Sequence, residues 1–305
     1  MERSLRLLLE GVIDYAGLFP PAKLDMEAAV EEYLELVQGE HAWLVSRFAC
    51  SASHLGELAA ELEKYPLAGP VPVAVIGSAS KDRHHWEAGL VHDVHAVSTF
   101  RSSAGRRASM EAFEAKAPDN RHIETYLREV EGIVPTEIFI ELPWEDGMEE
   151  SLAAIAESDF AYAKARTGGI EPSMYPSVPE LAGFLQQCAQ LDLPFKLTAG
   201  LHHPLPTHDT PTGGHMHGFL NVLAATTLCA AHDLSRREIE ALLETDEPSR
   251  FRFTDSALAW GGFEASLAEI EAGRDLFLSF GSCSVLEPVE GLASAGFVRL
   301  ASADR

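Results

Sequence analysis

Lys164 and Lys196 are the residues whose type and setting point most directly to chemistry. The chain holds six lysines against seventeen arginines, and these two lie inside short apolar runs, FAYAKARTGG and FKLTAGLHH. A long charged side chain within a strand is costly unless it reaches a polar site or a partner. Two ammonium groups on adjacent strands repel, and each is expected to lower the other's pKa. A lysine so depressed is partly neutral near pH 7, as imine formation on a carbonyl requires. Arginine stays protonated and cannot substitute. The competing reading is a buried ionic network in which Glu141 and Asp14 neutralise both lysines.

The elements that must hold these side chains follow from the alternation of β-rich and helical runs. Strands are expected at Val12–Tyr15, Trp43–Ala49, Val71–Ile76, His95–Phe100, Glu137–Glu141, Phe160–Ala165, Phe195–Thr198 and Leu276–Phe280. Helices are expected at Met26–Val37, Ala52–Lys64, Lys81–Val91, His122–Glu131, Glu149–Ser158 and Val178–Leu191. Strict alternation means parallel strands joined by crossovers, hence an α/β fold. Eight strand runs favour a closed (β/α)8 TIM-type barrel spanning residues 1–305 as one domain. No GxGxxG follows the first strand, against a dinucleotide-binding sheet. The rhythm breaks once, between the seventh and eighth strands. Residues 202–274 form an insertion: a Pro/Gly/His loop, an apolar helix Phe219–His232, a charged helix Ser235–Glu244 and a β-like run Arg250–Phe253. We expect this insertion to lie over the C-terminal strand ends. The alternative makes Arg250–Phe253 a barrel strand and one of the other eight a misassignment.

In such barrels the C-terminal strand ends and the loops after them carry the chemistry. Those ends supply Asp14, Arg47, Glu141, Lys164, Arg166, Thr167, Gly168, Lys196, Gly200, His202, His203, Gly281 and Ser282. Glu141 with Asp14 or a histidine is the expected acid/base. Arg47, Arg166, Thr167 and Gly168 are expected on the substrate.

The composition bounds the partners. With 47 acidic and 23 basic residues the formal charge is −24. That argues against nucleic acid and anionic membrane, both of which need clustered Lys and Arg. The longest apolar stretch, Phe219 to Ala231, is too short and too polar to span a bilayer. Four scattered cysteines with no CxxC suit a reducing compartment, and no secretion signal precedes them, so a cytoplasmic protein is expected. A small-molecule substrate is the expected partner, and a homo-oligomer is left open.

Six segments in order resemble the deoxyribose-phosphate aldolase group of class I aldolase barrels: IDYAGLFPP, VPVAVIGS, IFIELP, SDFAYAKARTGG, LPFKLTAG and SFGSCS. The resemblance implies a lyase acting on a small carbonyl compound, phosphorylated or not, with no cofactor. It makes Lys164 the imine-forming nucleophile and Lys196 the group that tunes it. It also makes Gly200, Gly281 and Ser282 the phosphate contacts, through backbone N–H groups. Members of the group carry an Asp on strand four that works with the second lysine in proton transfer. Here the fourth run reads HDVHAVSTF, and the matching position is Ala96. His202 or His203 is then expected to supply the missing acid/base.

Two other readings compete. Thirteen histidines are present, six of them in the window His202, His203, His208, His215, His217 and His232. His203, His215 and His217, helped by Glu141, Asp14 or Asp209, are candidate ligands for a divalent metal such as Zn, in a metal-dependent hydrolase or isomerase. The third reading is a barrel that binds a small anion without catalysis.

Overall fold

The structure, a computed structural model, describes residues 1–134, 136–208 and 213–299, without the Ser173 side chain. Eight parallel strands close into a barrel: β1 (Ile13–Tyr15), β2 (Val45–Ser51), β3 (Val71–Ile76), β4 (Ala108–Lys116), β5 (Glu137–Leu142), β6 (Ala161–Arg166), β7 (Phe195–Thr198) and β8 (Phe277–Ser282). Neighbours pair in sequence order, and β8 closes onto β1. The chain is a (β/α)8 TIM-type barrel.

Successive residues on a strand face opposite sides. On β6 the outward residues Ala161, Ala163 and Ala165 join the core between barrel and helices, while Tyr162 packs inside with Ala74, Ala112, Phe139 and Leu278. The Phe139 and Tyr162 rings meet at 5.4 Å, giving the barrel an apolar plug. Side chains of small volume at Ala74 and Ala112 leave room for it.

The expected fourth strand is corrected. His95–Phe100 lies inside a 22-residue helix, Arg83–Ala104, and the true fourth strand is Ala108–Lys116. Asp82 starts that helix by accepting the His85 backbone N–H at 3.0 Å, and the turn so fixed carries the β-branched run along with it. ASMEAFEAK is rich in residues that favour helices, but Phe113 and Ala115 face the outer core, so their partners Ala112, Glu114 and Lys116 turn inward.

The segment between β7 and β8 is more structured than expected. Phe251–Phe253 is no barrel strand: it pairs antiparallel in a three-stranded sheet with Ala257–Trp260 and Phe263–Ser266. That sheet attaches to the first helix, Arg3–Leu9, where the Ser4 N–H donates to the Thr254 carbonyl at 3.1 Å. The helix Phe219–His232 is buried from Phe219 to Cys229 and stacks Phe219 on Phe280 of β8 at 5.5 Å, as a member of the helical ring. After β7, Thr207–His208 pairs with His215–Met216. Among the described residues no helix is long and apolar enough to cross a membrane.

Candidate active site

Strand register builds the site. Lys116 on β4 is the Cα partner of Glu141 on β5, Glu141 of Lys164 on β6, Lys164 of Lys196 on β7, and Lys196 of Ser279 on β8. Glu114, one inward position before Lys116, reaches across to both central lysines. Its Oε2 accepts from Lys164 Nζ and its Oε1 from Lys196 Nζ, each at 2.6 Å. Lys164 Nζ also binds Glu141 Oε2 at 2.6 Å. Lys196 Nζ also donates to Asp14 Oδ2, which in turn accepts from Ser279 Oγ at 2.7 Å. The Phe139 ring lies 5.4 Å from Lys196 Nζ.

The result is a buried chain of alternating charge, Asp14–Lys196–Glu114–Lys164–Glu141. Lys164 is 3% exposed and Lys196 1%. It continues toward solvent through Arg166 and Lys116, whose nitrogens lie 3.7 and 3.8 Å from Glu141 Oε1. Removing charges from water is expensive, and alternation in close contact is what offsets that cost.

For Lys164 the expectation of a depressed pKa is overturned, because the carboxylate of Glu114 stands between the two amines. Burial works to lower the Lys164 pKa, but Glu114 and Glu141 together outweigh it and hold the amine above its ordinary value. Burial would raise Glu114, yet the Lys164 and Lys196 charges dominate and keep it at about 2. Glu141 is held low against the same burial by Lys164 and Arg166. At neutral pH the resting site is therefore an ionic lattice.

Of the sequence-derived candidates, the fold brings together Lys164, Lys196, Glu141, Asp14 and Arg166. Arg47 is a correction. It lies third on β2, at the N-terminal end of the barrel, with its guanidinium 3.0 Å from Glu137 and 3.5 Å from Glu111. It touches the site only through its backbone N–H, which donates to Asp14 Oδ1 at 3.3 Å. The described contacts of His202 and His203 are with other groups than the lysines. His202 Nδ1 lies 3.2 Å from Glu287 Oε2, and His203 gives its carbonyl to the Phe219 N–H at 2.9 Å.

The expected anion-binding residues serve the backbone. Thr167 Oγ1 donates to the Ala199 carbonyl and ties the end of β6 to the end of β7. Gly168 and Gly200 let those two loops touch: a Cβ on Gly168 would sit 2.7 Å from the Gly200 Cα. Gly200 itself has φ +77°, which glycine adopts without strain. A Cβ on Gly281 would meet Thr198 Oγ1 at 3.1 Å, and Ser282 Oγ donates to the Ser284 carbonyl at 2.6 Å.

Among the described residues the histidines contact one another and the backbone. His215 and His217 stack edge to face at 5.0 Å, and His208 meets His215 at 5.5 Å. His217 Nε2 is bound to the Pro176 carbonyl at 2.8 Å, and burial lowers its pKa to about 4. Among the described residues no three His, Cys, Asp or Glu are placed to hold a metal; Asp209 lies outside the described residues. Burial raises all four thiols, so none is activated.

Sequence reasoning missed Glu114, Ser279 and Lys116. Glu114 had a signal: two lysines inside strands demand counter-charges, and EAFEAK alternates charged and apolar residues near a strand end. Ser279 had none, since a serine two residues before Gly281 is unremarkable until Asp14 is beside it. A cleft of about 490 Å³ lined by Trp43, Leu44, Leu292 and Phe297 opens at the opposite end of the barrel, away from the charged chain. The chain matches no protein-family model, no curated protein and no solved structure, so its chemistry rests on the geometry of these strands.

Proposed function

We propose that the protein is an aldolase-type lyase that forms an imine between Lys164 and a small carbonyl compound. One observation carries this: Glu114 occupies strand four and binds both lysines, so the acid expected beside the second lysine is present after all. With Asp14 and Ser279 fixing Lys196, the pair has the parts that imine chemistry needs, a nucleophile and a proton carrier in contact.

The reaction begins with transfer of a Lys164 proton to Glu114 or Glu141. The free amine adds to the carbonyl carbon, and the carbinolamine oxygen takes up a proton and leaves as water. The protonated imine then accepts the electron pair of the carbon–carbon bond being cleaved. The proton released from the hydroxyl of the departing fragment goes to the Glu114–Lys196 pair, which returns it to the enamine carbon. Hydrolysis frees Lys164. Lys164 is suited to the nucleophile's part because its partner Glu141 contacts the half-exposed rim cations, whereas Lys196 is held between Asp14 and Glu114.

Borohydride reduction with a panel of aldehydes and ketones, followed by peptide mass spectrometry, tests the proposal. The expected product is a secondary amine on Lys164, absent in Lys164→Met. A panel that leaves Lys164 unmodified from pH 6 to about 10, approaching the ordinary lysine pKa, overturns it.

One observation favours a second reading, a barrel that binds a small anion without turnover: every buried amine is already engaged by carboxylates. Thermal stabilisation by anions, with no turnover of any carbonyl compound, would select it.

A further inference from the structure

Three cations converge on one buried carboxylate at the rim. Lys164 holds Glu141 Oε2 at 2.6 Å, while Arg166 Nε and Lys116 Nζ approach Oε1 at 3.7 and 3.8 Å. The last two distances exceed a hydrogen bond. Both side chains are half-exposed, at 41% and 47%, so their N–H groups remain available. The Arg166 hydrogen bond with a described partner is a long one, 3.4 Å to the Gly168 carbonyl. Along the whole charged chain, Lys116, Arg166, Lys164 and Lys196 face Asp14, Glu114 and Glu141: four cations to three carboxylates. In a protein of formal charge −24, the mouth of this site is a local cationic excess. It favours an anionic visitor.

The spacing limits where that anion sits on the substrate. The two rim cations and Lys164 all touch the same carboxylate group. An anion bridging Arg166 and Lys116 therefore lies about one carboxylate's width from the reacting amine. A carbonyl carbon bonded to Lys164 can place a directly attached carboxylate there. A phosphate separated by further carbon and oxygen atoms projects past it. We propose that the substrate is a 2-oxo acid, its carboxylate held by Lys116 and Arg166 and its ketone presented to Lys164. This rests on the imine reading above and specifies it.

The arrangement also couples binding to activation. A substrate carboxylate beside Glu141 makes its ionised form less favourable, since like charges repel. Glu141 then accepts the Lys164 proton, and the substrate carboxylate takes over as counter-ion to the rim cations. Ammonium and ketone combine to give iminium and water, with Glu141 carrying the proton between them, so charge and atoms balance. A neutral ketone brings no such charge and leaves Lys164 an ammonium.

The test is borohydride trapping at pH 7 with pyruvate, with acetone and acetaldehyde as neutral carbonyls, and with dihydroxyacetone phosphate. Pyruvate is expected to label Lys164 faster than either comparison class. Lys116→Met and Arg166→Met should each lower the ratio of pyruvate to acetaldehyde labelling roughly ten- to hundredfold, the value of a charge-assisted contact, and an unchanged ratio in both variants overturns the carboxylate's place. Circular dichroism of both variants confirms folding. Lys164 labelled equally by neutral and 2-oxo-acid probes, or fastest by the phosphorylated one, overturns the substrate class but keeps the imine. Labelling by none of the probes overturns both.

Discussion

Lys164 and Lys196 are register partners on β6 and β7, and one carboxylate, Glu114, binds both amines, Oε2 to the first and Oε1 to the second at 2.6 Å. The bridge turns a repulsive pair into an ordered one. It also makes the site depend on a residue from a strand that neither lysine adjoins.

Glu114→Gln keeps the shape of that bridge and removes its charge. It leaves two buried ammonium groups with a neutral amide between them. Unfolding in urea is expected to show a loss of about 3–5 kcal/mol, the usual cost of breaking a buried pair from one side. A loss under about 1 kcal/mol would mean that water enters the barrel and solvates the lysines.

Stability should fall on the acid side in two stages. His217 is depressed from 6.5 to about 4, so the unfolded chain binds its proton first and stability declines as pH falls through that window. Glu114 is depressed from 4.5 to about 2, and its contribution, full above 4.5, is lost as pH falls toward 2. Lys164 is raised, so its contribution is full below 10.5 and disappears only as pH rises through its higher folded value. Urea midpoints across pH 2–10 check this, and His217→Gln should flatten the segment between 6.5 and 4.

Phe139→Ala opens a cavity beneath the charged chain. Phe139 is fully buried in the plug with Ala74 and Ala112, small neighbours that cannot fill the gap. The expected loss is about 3–5 kcal/mol. Because the ring also lies 5.4 Å from Lys196 Nζ, water admitted there should weaken the ion pairs as well, and the variant should unfold in acid earlier than the wild type.

Gly200→Ala tests the loop contact at the rim. The φ of +77° disfavours any side chain, and the added Cβ would meet the Thr167 carbonyl oxygen. We expect a loss above about 1 kcal/mol in the melting curve, as for other substitutions at positive φ. Gly213→Ala, also at positive φ but with open space around its Cβ position, should cost less and serves as the comparison.

Much of the site was legible because strand chemistry is local. FAYAKAR and FKLT announce strands by their apolar flanks, and a lysine inside each demands an inward polar destination. Glu141 at the end of IFIELP followed from the same logic. The fourth strand was not legible. Its inward face carries Glu114 and Lys116, which erase the hydrophobic signal, while HAVSTF carries the signal of a strand but sits in a helix begun at Asp82. Arg47 shows the complementary error: the strand runs Val45–Ser51 and not Trp43–Ala49, so Arg47 falls in its first half and not near its C-terminal end.

The sequence by itself determined that this chain alternates strands and helices into a closed barrel and that two lysines must face its interior, because periodicity and the cost of burying charge act over a few residues. Only the tertiary structure decided what those lysines meet. Asp14, Glu114 and Ser279 lie far from them in the chain, and their assembly depends on how eight strands register around a cylinder. A pKa follows from that assembly: the same amine is depressed beside a bare ammonium and raised beside a carboxylate, and no local pattern tells the two apart.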